Sequence, residues 1–192
     1  MLVRAHSFAV DRGAAVHADV ELDLRAGLPG LAVIGLGAGP ARDLRERVQA
    51  AVLNSGFAVP RRRLTVNIAP PLARGGAEHD LAVACCALAA SGEIDPERLL
   101  RIGLCGELAL GGELRASGAG TAIADAAASE GLAGLLTALA DREQALAANV
   151  LPVATAGTLA EVVRLLCRHG PRTPEHSARP RTRQLSRTRR PR

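Results

Sequence analysis

What this chain can do chemically is limited first by what it lacks. All 24 basic residues are arginine. A P-loop needs a lysine ammonium on the terminal phosphates, a Ser-Lys protease needs a lysine base, and a Schiff-base enzyme needs a lysine amine. The serine nearest to a nucleophile context is Ser117, in Arg115-Ala116-Ser117-Gly118-Ala119. It lacks the first glycine of G-x-S-x-G and reads as a turn serine. His79-Asp80, where a helical segment begins, has the residue types of an orienting pair, yet an aspartate there also simply favours a helix N-terminus. His79 with Cys85 and Cys86 would supply nitrogen and sulfur to a metal. The four cysteines (Cys85, Cys86, Cys105, Cys167) show no CxxC spacing and sit in apolar runs, where cysteine behaves as a small buried hydrophobe. From His17 to Leu24 the chain alternates strictly, with Asp19, Glu21 and Asp23 on one face. No histidine or further acid converges on these carboxylates in sequence, so they read as a solvated sheet face. The expectation is no catalytic residue, no cofactor and no metal.

Charge points elsewhere. Residues 171 to 192 hold eight arginines against Glu175, a net +7, whereas residues 1 to 170 hold 16 arginines against 18 acids, a net −2. The pI near 10.1 is therefore a property of the tail. Within it, Arg179, Arg181, Arg183, Arg187, Arg189 and Arg190 are the candidates for contacting nucleic acid, without interleaved aromatics for stacking. Arg61-Arg62-Arg63 could also meet phosphates, or form a solvated turn before a strand. The tail has almost no apolar residues and is expected to be disordered. The N-terminal stretch is interrupted by charge and histidine, and no segment reaches about eighteen uninterrupted apolar residues, so neither a signal peptide nor a membrane span is read. With reduced thiols, this places the chain in the cytoplasm.

The elements that must position these residues follow from periodicity. One domain over residues 1–170 is expected, its core built from Ala, Val, Leu and Ile because Phe8 and Phe57 are the only aromatic rings. Ala18, Val20, Leu22 and Leu24 give the inner face of a first strand, and Leu31 to Leu36 a central one. Gly35 to Pro40, G-L-G-A-G-P, then leads into a helix over 40–54 with Leu44, Val48, Ala51 and Val52 on its apolar face and Gly56 as its cap. Strand, glycine turn and helix invite a dinucleotide-binding reading, but Pro40 stands where the third small residue belongs and the next strand, Leu64 to Ala69, offers Asn67 in place of an acid. A helix over 79–91 shows Leu81, Ala84, Cys85 and Leu88 on one face and ends at Gly92. Asp95-Pro96-Glu97 starts a short helix. Residues 103–115 read as a hairpin turning at Gly111-Gly112. A helix from Gly118 to Glu130, a weak strand or loop near Leu135 to Leu139 and a short strand at 151–153 follow. The last helix, 158–168, carries a Thr158-Glu161 capping box, an apolar face of Leu159, Val162, Val163 and Leu166, and Gly170 at its end.

Taken in order and spacing, VELDLRAGLPGLAVIGL, ARDLRERVQAAVLNSGFAVPRRRLTVNIAP, HDLAVACCALAASGEI, GELALGGELR and LPVATAGTLAEVVRLL resemble the N-terminal domain of magnesium-chelatase-like AAA+ ATPases of the ComM/YifB type, over residues 1 to about 170. The resemblance implies an α/β fold, a mixed sheet with packed helices similar to the proteolytic domain of Lon. Family members continue into an ATP-hydrolysing AAA+ module, and some act in DNA branch migration during natural transformation. This chain departs from them at two places: Gly75-Gly76-Ala77 replaces the usual lysine-glutamate-glycine loop, and Gly37-Ala38 a proline-aspartate pair. In Lon the nucleophilic serine would fall in Ala77 to His79 and the lysine near Thr121; neither is present, so the protease chemistry does not carry over. Two expectations stand. One is a non-catalytic interaction or regulatory domain, a truncated or split family member whose partner is an AAA+ ATPase module encoded separately. The other is an autonomous nucleic-acid-binding protein acting non-specifically through its tail.

Overall fold

The computed structural model describes residues 1–72 and 75–167. The chain opens with a long hairpin, β1 (Leu2–Asp11) and β2 (Ala14–Arg25), continues through β3 (Gly30–Leu36) into α1 (Ala38–Asn54), and returns in β4 (Arg63–Leu72). A 3-10 turn, Ala77–His79, leads into α2 (Asp80–Ser91), then α3 (Pro96–Leu99) and β5 (Ile102–Cys105). A two-stranded ribbon, β6 (Glu107–Leu108) and β7 (Leu114–Arg115), precedes α4 (Gly120–Ser129), β8 (Gly134–Ala138), α5 (Arg142–Ala147), β9 (Val153–Ala156) and α6 (Leu159–Leu166).

Seven strands form one mixed sheet in the order β3-β4-β2-β1-β5-β8-β9. The pairs β1–β2 and β2–β4 are antiparallel; β1–β5, β5–β8, β8–β9 and β3–β4 are parallel. The fold is thus α/β with a mixed sheet and packed helices, as the family resemblance implies. Alternation decides the faces. Val3 and Ala5 of β1 lie beside Leu22 and Val20 of β2 in the larger core, together with residues of α1, α2 and α6. On the opposite face Phe8, Cys105 and Leu135 pack under Ile123, Ala124 and Ala127 of α4 and Ala145 of α5.

Several helices end where their residues dictate. Leu44, Val48, Ala51 and Val52 are the buried residues of α1, and Gly56 beyond its end takes a left-handed φ of +86°. Asp95 caps α3 by accepting from the Glu97 N–H at 3.1 Å. The Thr158 hydroxyl accepts from the Glu161 N–H at 3.3 Å, and the Glu161 carboxylate accepts from the N–H of Gly157 at 2.7 Å, one residue earlier than a capping box requires. The described part of α6 ends at Leu166; the expected stop at Gly170 and the whole arginine tail lie outside the described residues.

Four expectations need correction. Helix α2 has no solvent face: every residue from Asp80 to Ala89 is buried, because the helix lies against β1 and β2 and is covered in turn by α1, α3 and the β6 ribbon. Residues 102–105 do not belong to the Gly111-Gly112 hairpin but form β5, a strand of the main sheet, and only 107–115 form the ribbon. Of the two readings near Leu135 to Leu139 the strand holds, as the fully buried β8, whereas the last strand begins at Val153 instead of 151. Cys167 is exposed, its thiol donating to the Glu93 carbonyl at 3.0 Å, while Cys85, Cys86 and Cys105 are buried as free thiols.

The glycine turn after β3 has a packing role. Gly35 sits at a β-bulge with φ +94°, and a Cβ there would stand 1.9 Å from the Ile68 carbonyl oxygen. Only glycine lets β3 approach β4 this closely.

Candidate functional site

The chemistry-bearing side chains gather at two places, one sealed and one open. The sealed one lies where the 3-10 turn hands over to α2. The His79 ring Nδ1 shares a hydrogen bond of 2.9 Å with the Ser7 hydroxyl of β1, and both residues are completely buried. His79 Nε2 has no hydrogen-bond partner among the described residues. Desolvation alone pushes the imidazole down to about 4, so it is neutral at physiological pH.

Asp80, next in sequence, turns to a different partner. Its carboxylate accepts from Arg47 of α1 through Nε at 2.6 Å and a terminal nitrogen at 3.1 Å, and from the Leu108 N–H of β6 at 3.2 Å. Burial lifts the Asp80 carboxyl to about 6, with the Arg47 hydrogen bonds and the Leu108 N–H pulling it back; the same contact raises Arg47 above its usual value. Both partners thus shift upward for different reasons: desolvation dominates for the fully buried acid, and the hydrogen bond to Asp80 for the partly exposed guanidinium. His79 and Asp80 are therefore not an orienting pair. They are two separate ties, one fastening α2 to the central strand and the other fastening it to α1 and the ribbon.

The open place is on the other face of the sheet. His6 of β1 stands directly across from Asp19 of β2, and His17 lies two residues before Asp19 on the same face. The His6 Nδ1 to His17 Nε2 distance is 3.0 Å, and an Asp19 carboxylate oxygen lies 3.5 Å from the first and 3.8 Å from the second. Histidines do converge on this carboxylate, contrary to the sequence reading. One of them, His17, is on the same strand; the other, His6, is brought in by hairpin register. The alternation over His17 to Leu24 already puts His17 and Asp19 on one face; His6 joins them only through its place across the hairpin, which no spacing along the chain shows.

The remaining candidates separate. Ser117 is a turn serine, its N–H and hydroxyl donating to the Asp141 carboxylate at 2.8 and 3.0 Å, with Gly118 N–H at 3.0 Å. Asp141, itself buried, carries no signal in the sequence for this role, because Ser117 and Gly118 lie more than twenty residues upstream. Thr121, near which the resemblance to Lon would put a lysine, donates its hydroxyl to the Gln144 carbonyl at 2.8 Å. Cys85 and Cys86 are not gathered with His79 into any ligand set among the described residues, and burial pushes the Cys85 thiol up to about 12. Arg61, Arg62 and Arg63 are exposed at the start of β4. Arg179, Arg181, Arg183, Arg187, Arg189 and Arg190 lie outside the described residues. No helix among the described residues is long and apolar enough to cross a membrane.

An α/β domain with these blocks in this order is of the magnesium-chelatase-related class, and comparison with known proteins makes the assignment explicit. The family described as "Subunit ChlI of Mg-chelatase" matches residues 20–141, and the chain belongs to it. Over 97 residues, half of this chain, it is 41% identical to the uncharacterized protein YifB of Escherichia coli K12 and 38% identical to the competence protein ComM of Haemophilus influenzae; the match takes in 19% of each of those proteins. An uncharacterized protein of Mycobacterium tuberculosis is 38% identical over 115 residues, 59% of this chain and 23% of that protein. The matched segment thus spans about a fifth of the length of these curated relatives.

Proposed function

We propose that this chain is a non-catalytic interaction domain that binds and regulates an AAA+ ATPase module of the ComM/YifB type, and through it serves DNA processing of the kind ComM's name as a competence protein indicates. The observation that carries the reading is the fate of the chain's one serine–histidine contact among the described residues. Ser7 and His79 meet at hydrogen-bond distance but are wholly enclosed, where no substrate reaches them. The positions that would hold a Lon-type dyad carry Ala77-Glu78-His79 and a Thr121 already bonded to backbone.

Surface chemistry supports a partner. At the start of β3, an edge strand of the sheet, one shallow groove is lined by Leu28, Gly30, Leu31 and Leu64, and a second by Pro29, Leu53, Val59 and Pro60; both share Gly30 and Leu64. Leu28 is 89% exposed and Leu53 59%. Leucines so exposed around one strand end suit a protein contact.

The test mixes the purified chain with the AAA+ module of a family member and measures complex formation by sedimentation and the ATP turnover of the module. Binding in the micromolar range with altered turnover is expected, and Leu28→Glu with Leu53→Glu should weaken it at least about tenfold, as removing interface anchors does. No complex, or turnover and affinity indifferent to both substitutions, would overturn the reading. The alternative, an autonomous nucleic-acid binder, is favoured by the eight arginines of residues 171–192 and is separated from the first by the tail deletion described below.

A further inference from the structure

We propose that His6, His17 and Asp19 form a binding site for a divalent late first-row transition ion, zinc being the type case, with Glu130 orienting one of the ligands. The site lies on the α4 side of the sheet, where the β1–β2 hairpin reaches past the end of that helix, away from the β3 edge.

The geometry is that of a ligand triangle. Zinc binds imidazole nitrogen at about 2.0–2.1 Å and carboxylate oxygen at about 2.0–2.2 Å, so two ligands of a tetrahedral ion stand about 3.3–3.5 Å apart. The three edges here are 3.0 Å between His6 Nδ1 and His17 Nε2, 3.5 Å between His6 Nδ1 and Asp19 Oδ1, and 3.8 Å between His17 Nε2 and the same oxygen. Shifts of a few tenths of an ångström bring all three to tetrahedral spacing. The backbone beneath them is a regular antiparallel ladder in which His6 and Asp19 are direct partners, so the ligands stand on rigid strands.

The surroundings fix which nitrogen is offered. Glu130, at the end of α4, places a carboxylate oxygen 3.6 Å from His17 Nδ1. A proton held on Nδ1 by that carboxylate leaves the Nε2 lone pair aimed at His6 and Asp19, the arrangement by which outer carboxylates orient metal-binding histidines. Phe8, paired with His17 across the hairpin, packs a ring against it with centroids 5.5 Å apart. Without an ion, His6 Nδ1 and His17 Nε2 share one hydrogen bond, in which a His17 protonated on Nδ1 is the acceptor. Binding requires a His6 tautomer with its proton on Nε2, which leaves Nδ1 free for the ion.

The donor set selects the ion. Two imidazoles and one carboxylate suit zinc, copper, nickel or iron, whereas magnesium and calcium prefer oxygen alone. The His6 and His17 side chains are about one quarter and one fifth exposed and Asp19 is well exposed, so the fourth position opens to water.

The experiment titrates the full chain with cobalt(II), following visible absorption, then displaces cobalt with zinc. One saturable site per chain is expected. His6→Gln and His17→Gln should each weaken zinc at least about tenfold, and Glu130→Gln by about tenfold as an outer-shell change. Zinc should raise the melting temperature of the wild type and not of the His17→Gln protein. Asp19→Asn, at an exposed position, supplies the same comparison should a histidine variant fail to fold. Saturation only at millimolar metal, or zinc affinity unchanged in the histidine and aspartate variants, would overturn the assignment and place any ion elsewhere, for example on Cys167.

Discussion

Replacing His79 with glutamine should make the stability of the protein differ from wild type by an amount that depends on pH. The side chain is fully buried, and desolvation holds its pKa near 4 against an ordinary 6.5. Between those values the unfolded chain binds a proton that the folded chain does not, so this histidine's contribution is present above pH 6.5 and is lost as pH falls toward 4. The full shift corresponds to about 3 kcal/mol at 1.36 kcal/mol per unit, of which about 2 kcal/mol is spent between pH 7 and pH 5. Asp80, lifted to about 6, titrates in the same window with the opposite sign: the unfolded chain releases that proton first, so its term favours the folded state as pH falls. It is present in both proteins and cancels in their difference. Glutamine keeps an amide for the Ser7 hydroxyl and has no proton to gain. Urea unfolding followed by circular dichroism at both pH values should show the wild-type advantage over His79→Gln shrinking by about 2 kcal/mol on acidification. A difference that stays constant within about 0.5 kcal/mol would show that the ring is not held neutral by burial, and would refute the reasoning.

Other substitutions test the remaining ties. Arg47→Ala leaves the buried Asp80 carboxylate without its bidentate partner and should lower unfolding free energy by about 3 kcal/mol in urea; Asp80→Asn, which also removes the charge, should be milder. Gly35→Ala drives a Cβ to 1.9 Å from the Ile68 carbonyl, and soluble yield and melting temperature should both fall sharply. Thr158→Ala removes the α6 cap and should lower stability by about 1 kcal/mol by thermal unfolding. Deleting residues 171–192 should abolish DNA binding measured by fluorescence anisotropy, and binding by the intact chain should weaken by orders of magnitude on going from low to roughly 200 mM salt. DNA affinity unchanged after the deletion would move the site to the folded surface, beginning with Arg61, Arg62 and Arg63.

Local signals were legible where a single element decides the outcome. The Leu44, Val48, Ala51, Val52 spacing, the Thr158-Glu161 pair and the Asp95 cap each act within one or two turns of helix, and each stands where its residues place it. Tertiary context decided the rest. Helix α2 has a readable face only on paper: its alanines and cysteines are small and apolar on every side, so periodicity could not show that both sides are covered. Ile102–Cys105 reads as one arm of the hairpin because a glycine pair follows; its true partners, His6-Ser7 and residues 134–137, are remote in sequence. The His6, His17, Asp19 cluster escaped for the same reason, since hairpin register and not spacing along the chain joins His6 to the other two.

The position of β1 in the sheet also orders events during synthesis. Its antiparallel neighbour β2 follows within a few residues, yet its other neighbour, β5, comes some ninety residues later. At ribosomal speeds of about 5–20 residues per second, that edge stays open for roughly 5–20 s, and for most of that time the central helix α2, which precedes β5 by about ten residues, has not been made either. The nascent chain therefore passes through a stage in which the second edge of β1 is unpaired and Val3, Ala5 and Phe8 are not yet fully covered. A binding protein acting on the emerging polypeptide would meet it there, before β5 arrives.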